Sequence, residues 1–229
     1  LVVFQLPSTA SGQDPQAEDT VTVYILDPIT VQGRVDDLAG LVGTASVGYV
    51  GARDLRARPL SRAGELLETV PGMVLTQHSG GGKSNQMFVR GFNLDHGTDF
   101  STRREGMPIN LPTHAHGHGY TDLNFLIPEL VDYVEYSLGN FYSEIGDFGS
   151  AGGAEFRLKR SLEQPIFVGG LGDHGHRRMV AGASTPVGSG GTLRAGGEFH
   201  HNDGPWDVPE DLQKFSGMRA RTKKLSRPT

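Results

Sequence analysis

LLETVPGM at 66–73, MFVRGF at 87–92, EGMPIN at 105–110 and AGGAEFRL at 151–158 all fall within Ser61 to Lys159 and decide the fold. Ser61 can cap a helix running to about Thr69, with Glu65 supplying acidic charge near its first turn. Leu66, Leu67 and Val70 give that helix an apolar stripe, and Pro71-Gly72 stops it. Met73 to Gln77 reads as a strand, His78 to Asn85 as a polar loop, and Gln86 to Phe92 as a second strand. Along the second strand Met87 and Val89 share one face, Phe88 and Arg90 the other. Further strands are expected at Phe100 to Arg104, Val131 to Ser137 and Ala154 to Lys159. A long polar loop spans Asn110 to Asn124, with a helical turn at Ile127 to Leu130. These elements describe a small mixed α+β unit.

Beyond Arg160 the texture changes. Ile166 to Leu171, Arg177 to Ser184 and Thr192 to His201 are β-like runs separated by Gly, Asp, Pro and Ser turns. In the third, Leu193, Ala195, Gly197 and Phe199 share one face, while Arg194, Gly196, Glu198 and His200 share the other. Small or apolar outside and polar inside is the pattern of an outer-membrane barrel strand, and equally of a meander with one wet face. Ahead of the mixed unit, LVVFQLPSTA at 1–10 reads as the remnant of a secretory signal. Residues 11–50 read as a linker, polar and acidic at first, then carrying β-prone runs at Thr20 to Leu26 and Ile29 to Gln32. Such runs suit either strand addition to a partner's sheet edge or an ordinary edge strand. MRARTKKLSRPT at 218–229 reads as a basic tail where another amphipathic strand was due, as a frame change or premature end would leave.

Composition narrows the function classes. A net charge of -5 excludes a basic nucleic-acid face as the main feature. With no cysteine, disulfide frameworks, thiolate zinc sites and cysteine nucleophiles are all excluded. Glycine at 33 of 229 residues points to turns and short strands rather than long helices.

Two enzyme look-alikes fail on their own terms. GGGKS at 80–84 resembles a phosphate loop, but the glycine required at 77 is Gln77 and a strand follows. FGSAGG at 148–153 lacks the first glycine of a nucleophile elbow. No catalytic pair stands out, so no enzymatic activity is expected. His114, His116 and His118 alternate as H-x-H-x-H, with Asp95, His96 and Asp99 upstream. If that stretch is extended, the three imidazoles point to one side and could share a soft divalent metal. The same residues also suit a polar loop whose histidines bond to backbone and water. Both readings stay open.

Taken in order, five phrases resemble the plug domain of a TonB-dependent outer-membrane receptor. They are Leu66-Leu67 with Pro71-Gly72, Arg90-Gly91, Glu105-Gly106-Met107-Pro108, Val134-Glu135-Tyr136 with Leu138-Gly139, and Ile145-Gly146 followed by Gly152-Gly153-Ala154. The likeness covers about 55–160 and continues weakly into barrel strands, with 203–217 resembling a loop and strand return. The loop at 93–100 and the run at 110–130 resemble a histidine-rich subgroup. Leu138-Gly139-Asn140 departs from the usual Arg-Gly-Pro, and Phe148 stands where small residues are common.

The resemblance implies a plug at 51–160 followed at 161–217 by the first antiparallel strands of an incomplete transmembrane β-barrel. At ~10 residues per strand, the piece after Arg160 supplies three or four strands against about twenty-two in the plugged class, as in a truncated chain. It also implies energised uptake of a scarce ligand (an iron–siderophore, cobalamin or another metal chelate) across the outer membrane of a Gram-negative bacterium, with no resident cofactor. The expected partner is TonB with its inner-membrane energising complex. Its box would be Asp27, Pro28, Ile29, Thr30 and Val31, or Asp19, Thr20, Val21, Thr22 and Val23. Asp95, His96, Asp99, His114, His116, His118, Tyr120 and Asp122 are the expected ligand-facing residues, and His114, His116 and His118 the expected metal ligands. A soluble periplasmic metal-binding module built on the plug alone is the alternative.

Overall fold

A computed structural model describes residues 41–223 apart from 45, 61 and 189. Both expected TonB boxes, the signal remnant and Ser61 lie outside the described residues. No helix among the described residues is long and apolar enough to cross a membrane.

The first layer is a six-stranded sheet. β1 (Leu41–Thr44) and β2 (Val47–Gly51) form a hairpin at one edge. A one-and-a-half-turn helix α1 (Ala52–Ala57) and a 3₁₀ helix at Ala63–Thr69 follow. β3 (Met73–Thr76), β4 (Gln86–Val89) and β5 (Phe92–Asn93) make a separate three-stranded sheet. β6 (Phe100–Arg104), β7 (Met107–Pro108), β8 (Val131–Leu138) and β9 (Gly152–Leu158) complete the main sheet in the order β1-β2-β8-β9-β6-β7. β6 and β9 are its one parallel pair among the described residues.

The phrases quoted at the outset set this topology. Leu66 and Leu67 are wholly buried and pack with Met87, Leu94, Phe100, Val134 and Phe156 in one core. Each such side chain contributes roughly 2 kcal/mol by leaving water. The N-cap position is Arg62, whose N–H donates to the Glu65 carboxylate, so Glu65 closes the first turn. Gly72 takes φ +77, and its carbonyl accepts the Arg90 N–H. Arg90-Gly91 and Glu105-Gly106 are both two-residue hairpin turns, joining Val89 to Phe92 and Arg104 to Met107. All four residues have positive φ, as a type I′ turn requires. Gly152 and Gly153 sit where β9 enters between β6 and β8. A Cβ there would meet the Ser137 carbonyl oxygen at 2.3 Å and the Ser101 carbonyl oxygen at 2.7 Å respectively.

The second layer is an antiparallel meander: β10 (Ile166–Leu171), β11 (Arg177–Val187), β12 (Gly191–Asn202) and β13 (Leu212–Lys223). β11 to β13 run 11 or 12 residues, enough for a tilted bilayer-spanning strand of about 9–11. Two boundaries differ from the sequence reading. Residues 41–50, expected in the linker, belong to the main sheet, because VGYVG offers too few large apolar residues to announce a strand. Residues 218–223, expected in a basic tail, continue β13 in register with β12, Met218 opposite Gly196 and Lys223 opposite Gly191. Their alternation reverses the apolar-out pattern of the rest of the wall: Arg219 and Arg221 are exposed on the same face as Phe215, while Met218 and Ala220 are half-buried.

This meander is inside out for a water-soluble sheet. Its outward face carries Phe167 at 73% exposure, Leu171 at 87% and Phe215 at 76%, with Met179 also exposed. Its inward face buries Arg194, Glu198 and His200. That face meets the first layer through polar bonds and a small apolar cluster of Ile127, Leu130, Val180 and Met218, in which Leu130 is the knob. Arg178 spans from Glu198 (2.6 Å) to the two carboxylate oxygens of Glu129 (2.6 and 2.9 Å), and Lys214 reaches Glu198 at 2.9 Å. Arg194 donates to the carbonyls of Leu158 and Lys159. Leu130 sits over the paired glycines Gly182 and Gly196, where added Cβ atoms would lie 3.3 and 2.6 Å from its methyls. Gly196→Val should therefore dislodge Leu130 and lower stability by about 1–3 kcal/mol, read from denaturant midpoints in detergent. An unchanged midpoint would count against the knob.

Candidate metal and ligand site

Loop 110–121 is held shut at its base. The Leu111 N–H donates to the Tyr120 carbonyl (2.8 Å) and the Gly119 N–H to that of Leu111 (2.7 Å). Asn110 is buried beneath it. Its amide nitrogen donates to the carbonyls of Gly97, Phe100 and Gly119, and its oxygen accepts the Thr102 N–H. One side chain thus fixes the histidine loop onto the turn that carries Asp95 and His96. Phe148 covers the loop's Gly119 with its ring, which accounts for a large residue at that position.

Within this frame the three alternating histidines diverge. The stretch bends rather than extends, so alternation does not place them on one side. His114 stacks on Tyr120, centroids 3.9 Å apart and rings 13° from parallel, and its Nδ1 accepts the His116 N–H. His118 Nδ1 lies 2.9 Å from the Pro112 carbonyl, to which it donates. His116 alone turns inward, its ring 4.4 Å from that of His96. The group that converges is Asp95, His96 and His116, whose ligand atoms all lie within 4.8 Å of one another. The expected set of His114, His116 and His118 is thus not the one whose side chains converge.

His96 is the centre of the group, 1% exposed. Its Nδ1 lies 3.1 Å from the Asn85 carbonyl, which can only accept, so Nδ1 carries the proton. Nε2 then holds a lone pair, and that buried atom has no hydrogen-bond partner among the described residues. It lies 3.6 Å from Asp95 Oδ1, and His116 Nε2 lies 4.0 Å from the same oxygen. Burial pushes the His96 imidazole below its ordinary 6.5, partly opposed by Asp95. Asp95 itself stands at φ 50, a conformation that Asp tolerates better than most residues.

The remaining expected residues have other duties. The Asp99 carboxylate accepts from the hydroxyls of Thr98 and Ser150. Asp122 accepts the Asn124 N–H and lines a separate cleft with Arg104, Met107 and Phe125. Tyr120 accepts the Ser84 N–H through its hydroxyl, tying the loop at 77–85 to the histidine loop. The sequence reading passed over His78, whose ring lies 5.1 Å from His96, and Asn110. The Ser/Gly/Lys loop around His78 gave no periodicity to place it.

A second histidine group stands at one end of the meander. His176 Nδ1 and His200 Nε2 are 3.3 Å apart, and His201 lies 3.5 Å from Asp203 and 3.8 Å from Asp211. The β10–β11 and β12–β13 turns share that end, joined by the Asp203 N–H to the His174 carbonyl. The Gly81 N–H donates to Glu210 in the second of these turns, joining it to the loop that carries His78. All nine histidines thus gather at one end of the molecule.

The described residues thus form a mixed-sheet body joined through ion pairs to an antiparallel wall whose outward face exposes Phe167, Leu171 and Phe215. Residues 42–154 match the TonB-dependent Receptor Plug Domain, so that part of the chain is a plug domain of this family. Solved structures share the fold. The copper transporter OprC is 18% identical at TM-score 0.59, matching 82% of this chain and 29% of its own. The siderophore receptor PirA from Pseudomonas aeruginosa is 21% identical at TM-score 0.53, matching 78% and 32%. The ferric enterobactin receptor PfeA of the same organism, in complex with enterobactin, is 18% identical at TM-score 0.53, matching 70% and 25%. The chain therefore spans about a quarter to a third of the length of these receptors.

Proposed function

We propose that this chain is the plug and first barrel strands of an outer-membrane receptor that takes up a metal-containing ligand with energy delivered through TonB. The observation that carries this reading is the plug fold with every histidine gathered at one end, where a cargo would be met. The nearby copper and siderophore receptors are in keeping with a metal-bearing cargo. The apolar outward face of the meander favours a lipid-embedded wall over the soluble periplasmic alternative, since such a face in water invites association. In this reading an extended segment, 27–31 or 19–23, adds as a strand to TonB.

The test uses the full chain and the purified periplasmic domain of TonB. Proline removes a ladder N–H, so Ile29→Pro or Val21→Pro should break strand addition at whichever box is used. Binding lost in one variant and kept in the other supports the reading and names the box. No binding by the parent chain, or binding that survives both prolines together, would overturn it.

A further inference from the structure

We propose that Asp95 Oδ1, His96 Nε2 and His116 Nε2 coordinate a divalent transition-metal ion directly, so that the cargo is met as a metal ion with open coordination positions rather than only as a sealed chelate. The proposal deepens the receptor reading, on which its transport role rests; the binding itself does not depend on it.

The argument starts from His96. A buried imidazole nitrogen with a fixed lone pair and no donor facing it is costly unless something occupies that side. The Asn85 carbonyl, by fixing the tautomer, does what an outer partner does for a metal-bound histidine. A carboxylate and a second imidazole stand where they would share the ion. Ligand atoms in a tetrahedral site with bonds of about 2.0–2.1 Å lie about 3.3 Å apart. The observed 3.6 and 4.0 Å separations close to that value by side-chain rotation, and His116 sits on a half-exposed loop that can give.

Two imidazoles and one carboxylate select zinc, copper or nickel over magnesium or calcium, which prefer all-oxygen shells. Three protein ligands leave at least one position open, as in sites that exchange what they hold rather than sites that staple a fold. The open position suits an ion that must arrive with a displaceable donor and leave again. The second histidine group does not have this character, because His201 faces Asp203 with one ring nitrogen and Asp211 with the other.

The test is calorimetric titration of the full chain in detergent with zinc and with magnesium, plus copper-loaded electron paramagnetic resonance. His116→Ala and Asp95→Asn both alter exposed side chains, and near-ultraviolet circular dichroism checks that each variant keeps its fold. His201→Ala removes the second group. We expect zinc to bind, magnesium not to, each of the first two variants to weaken zinc at least tenfold, and His201→Ala to leave that event unchanged. The copper spectrum should show two coupled nitrogens, falling to one in His116→Ala. No zinc binding by the parent, parent-like affinity in both first variants, or loss of the event in His201→Ala would overturn the site. A negative result leaves TonB binding as the separate measure of the receptor reading, and lost TonB binding leaves the titration standing.

Discussion

Gly152→Val should leave the six-stranded sheet unable to close. Three backbone groups meet the new side chain at once: the Ser137 oxygen at 2.3 Å, the Leu138 Cα at 2.9 Å and the Gly139 nitrogen at 3.1 Å. Backbone cannot swing aside as a side-chain tip can. Gly152 also stands at φ +129, outside the range of a β-branched residue. Overlap and backbone strain together should cost at least about 3 kcal/mol, a large share of a domain's stability. Gly106→Ala is the matching control. Its φ is +81, but nothing lies within 4 Å of the added methyl, so it should lose only about 1 kcal/mol. Urea unfolding followed by circular dichroism separates the two. Similar midpoints would show that the sheet accommodates Gly152→Val by moving β8.

Arg178→Ala should have the second largest effect. Among the described residues, its guanidinium is the one group that bonds both Glu129 of the plug and Glu198 of the wall. Removing it leaves Glu198, 5% exposed, with Lys214 alone, and leaves Glu129 without its bidentate partner. Stranding buried carboxylates in this way costs roughly 3–5 kcal/mol. Most of that loss should fall on the contact between the two layers. Limited proteolysis should then cut the plug while β10–β13 stay protected in detergent. Burial raises the Glu129 carboxyl, but the hydrogen bonds and charge of Arg178 outweigh it and hold the group below its ordinary 4.5. A depressed carboxyl contributes stability that is fully present above its unfolded value and lost as pH falls through its folded one. The wild-type contact should therefore weaken below about pH 4.5, and Arg178→Ala should flatten that dependence. An acid limb of equal slope in both proteins would remove Glu129 from the account.

Strands that alternate large apolar and polar residues were legible in the sequence. Met87 and Val89 are buried as their spacing requires, and β10 has the bounds expected for it. The Pro-Gly stop was readable as local chemistry and the Glu105-Gly106 turn through the family resemblance, whereas the Arg90-Gly91 turn breaks a run that had read as one strand from Gln86 to Phe92. β1 and β2 were not, because their glycines carry no pattern and the ladder to β8 supplies their order. The second half of β13 looked like a tail, since its arginines point outward and its inward residues are only Met218 and Ala220. The converging group was half legible. Asp95, His96 and His116 were all singled out, but alternation assumed an extended loop. Asn110 and the Leu111–Tyr120 bridge bend it, and no spacing rule records a bend made by one buried amide.

The edge position of the β1–β2 hairpin gives the plug two mechanical grades. In the proposed function, load reaches it through the chain ahead of Leu41. Leu41 pairs with Tyr49, near the end of β2 that leads into the body, so load and anchor act at the same end of the ladder. Such a ladder opens like a zipper, one rung at a time and at low force. Once β1 is free, the load shifts to Val47. That residue pairs with Ser137 at one end of the β2–β8 ladder, and β8 is held along its whole length by β9, from Val131 opposite Leu158 to Leu138 opposite Gly152. All rungs there are strained together, in shear. The first strand is slack to be taken up, and the second is a clutch that holds until the pull is sustained.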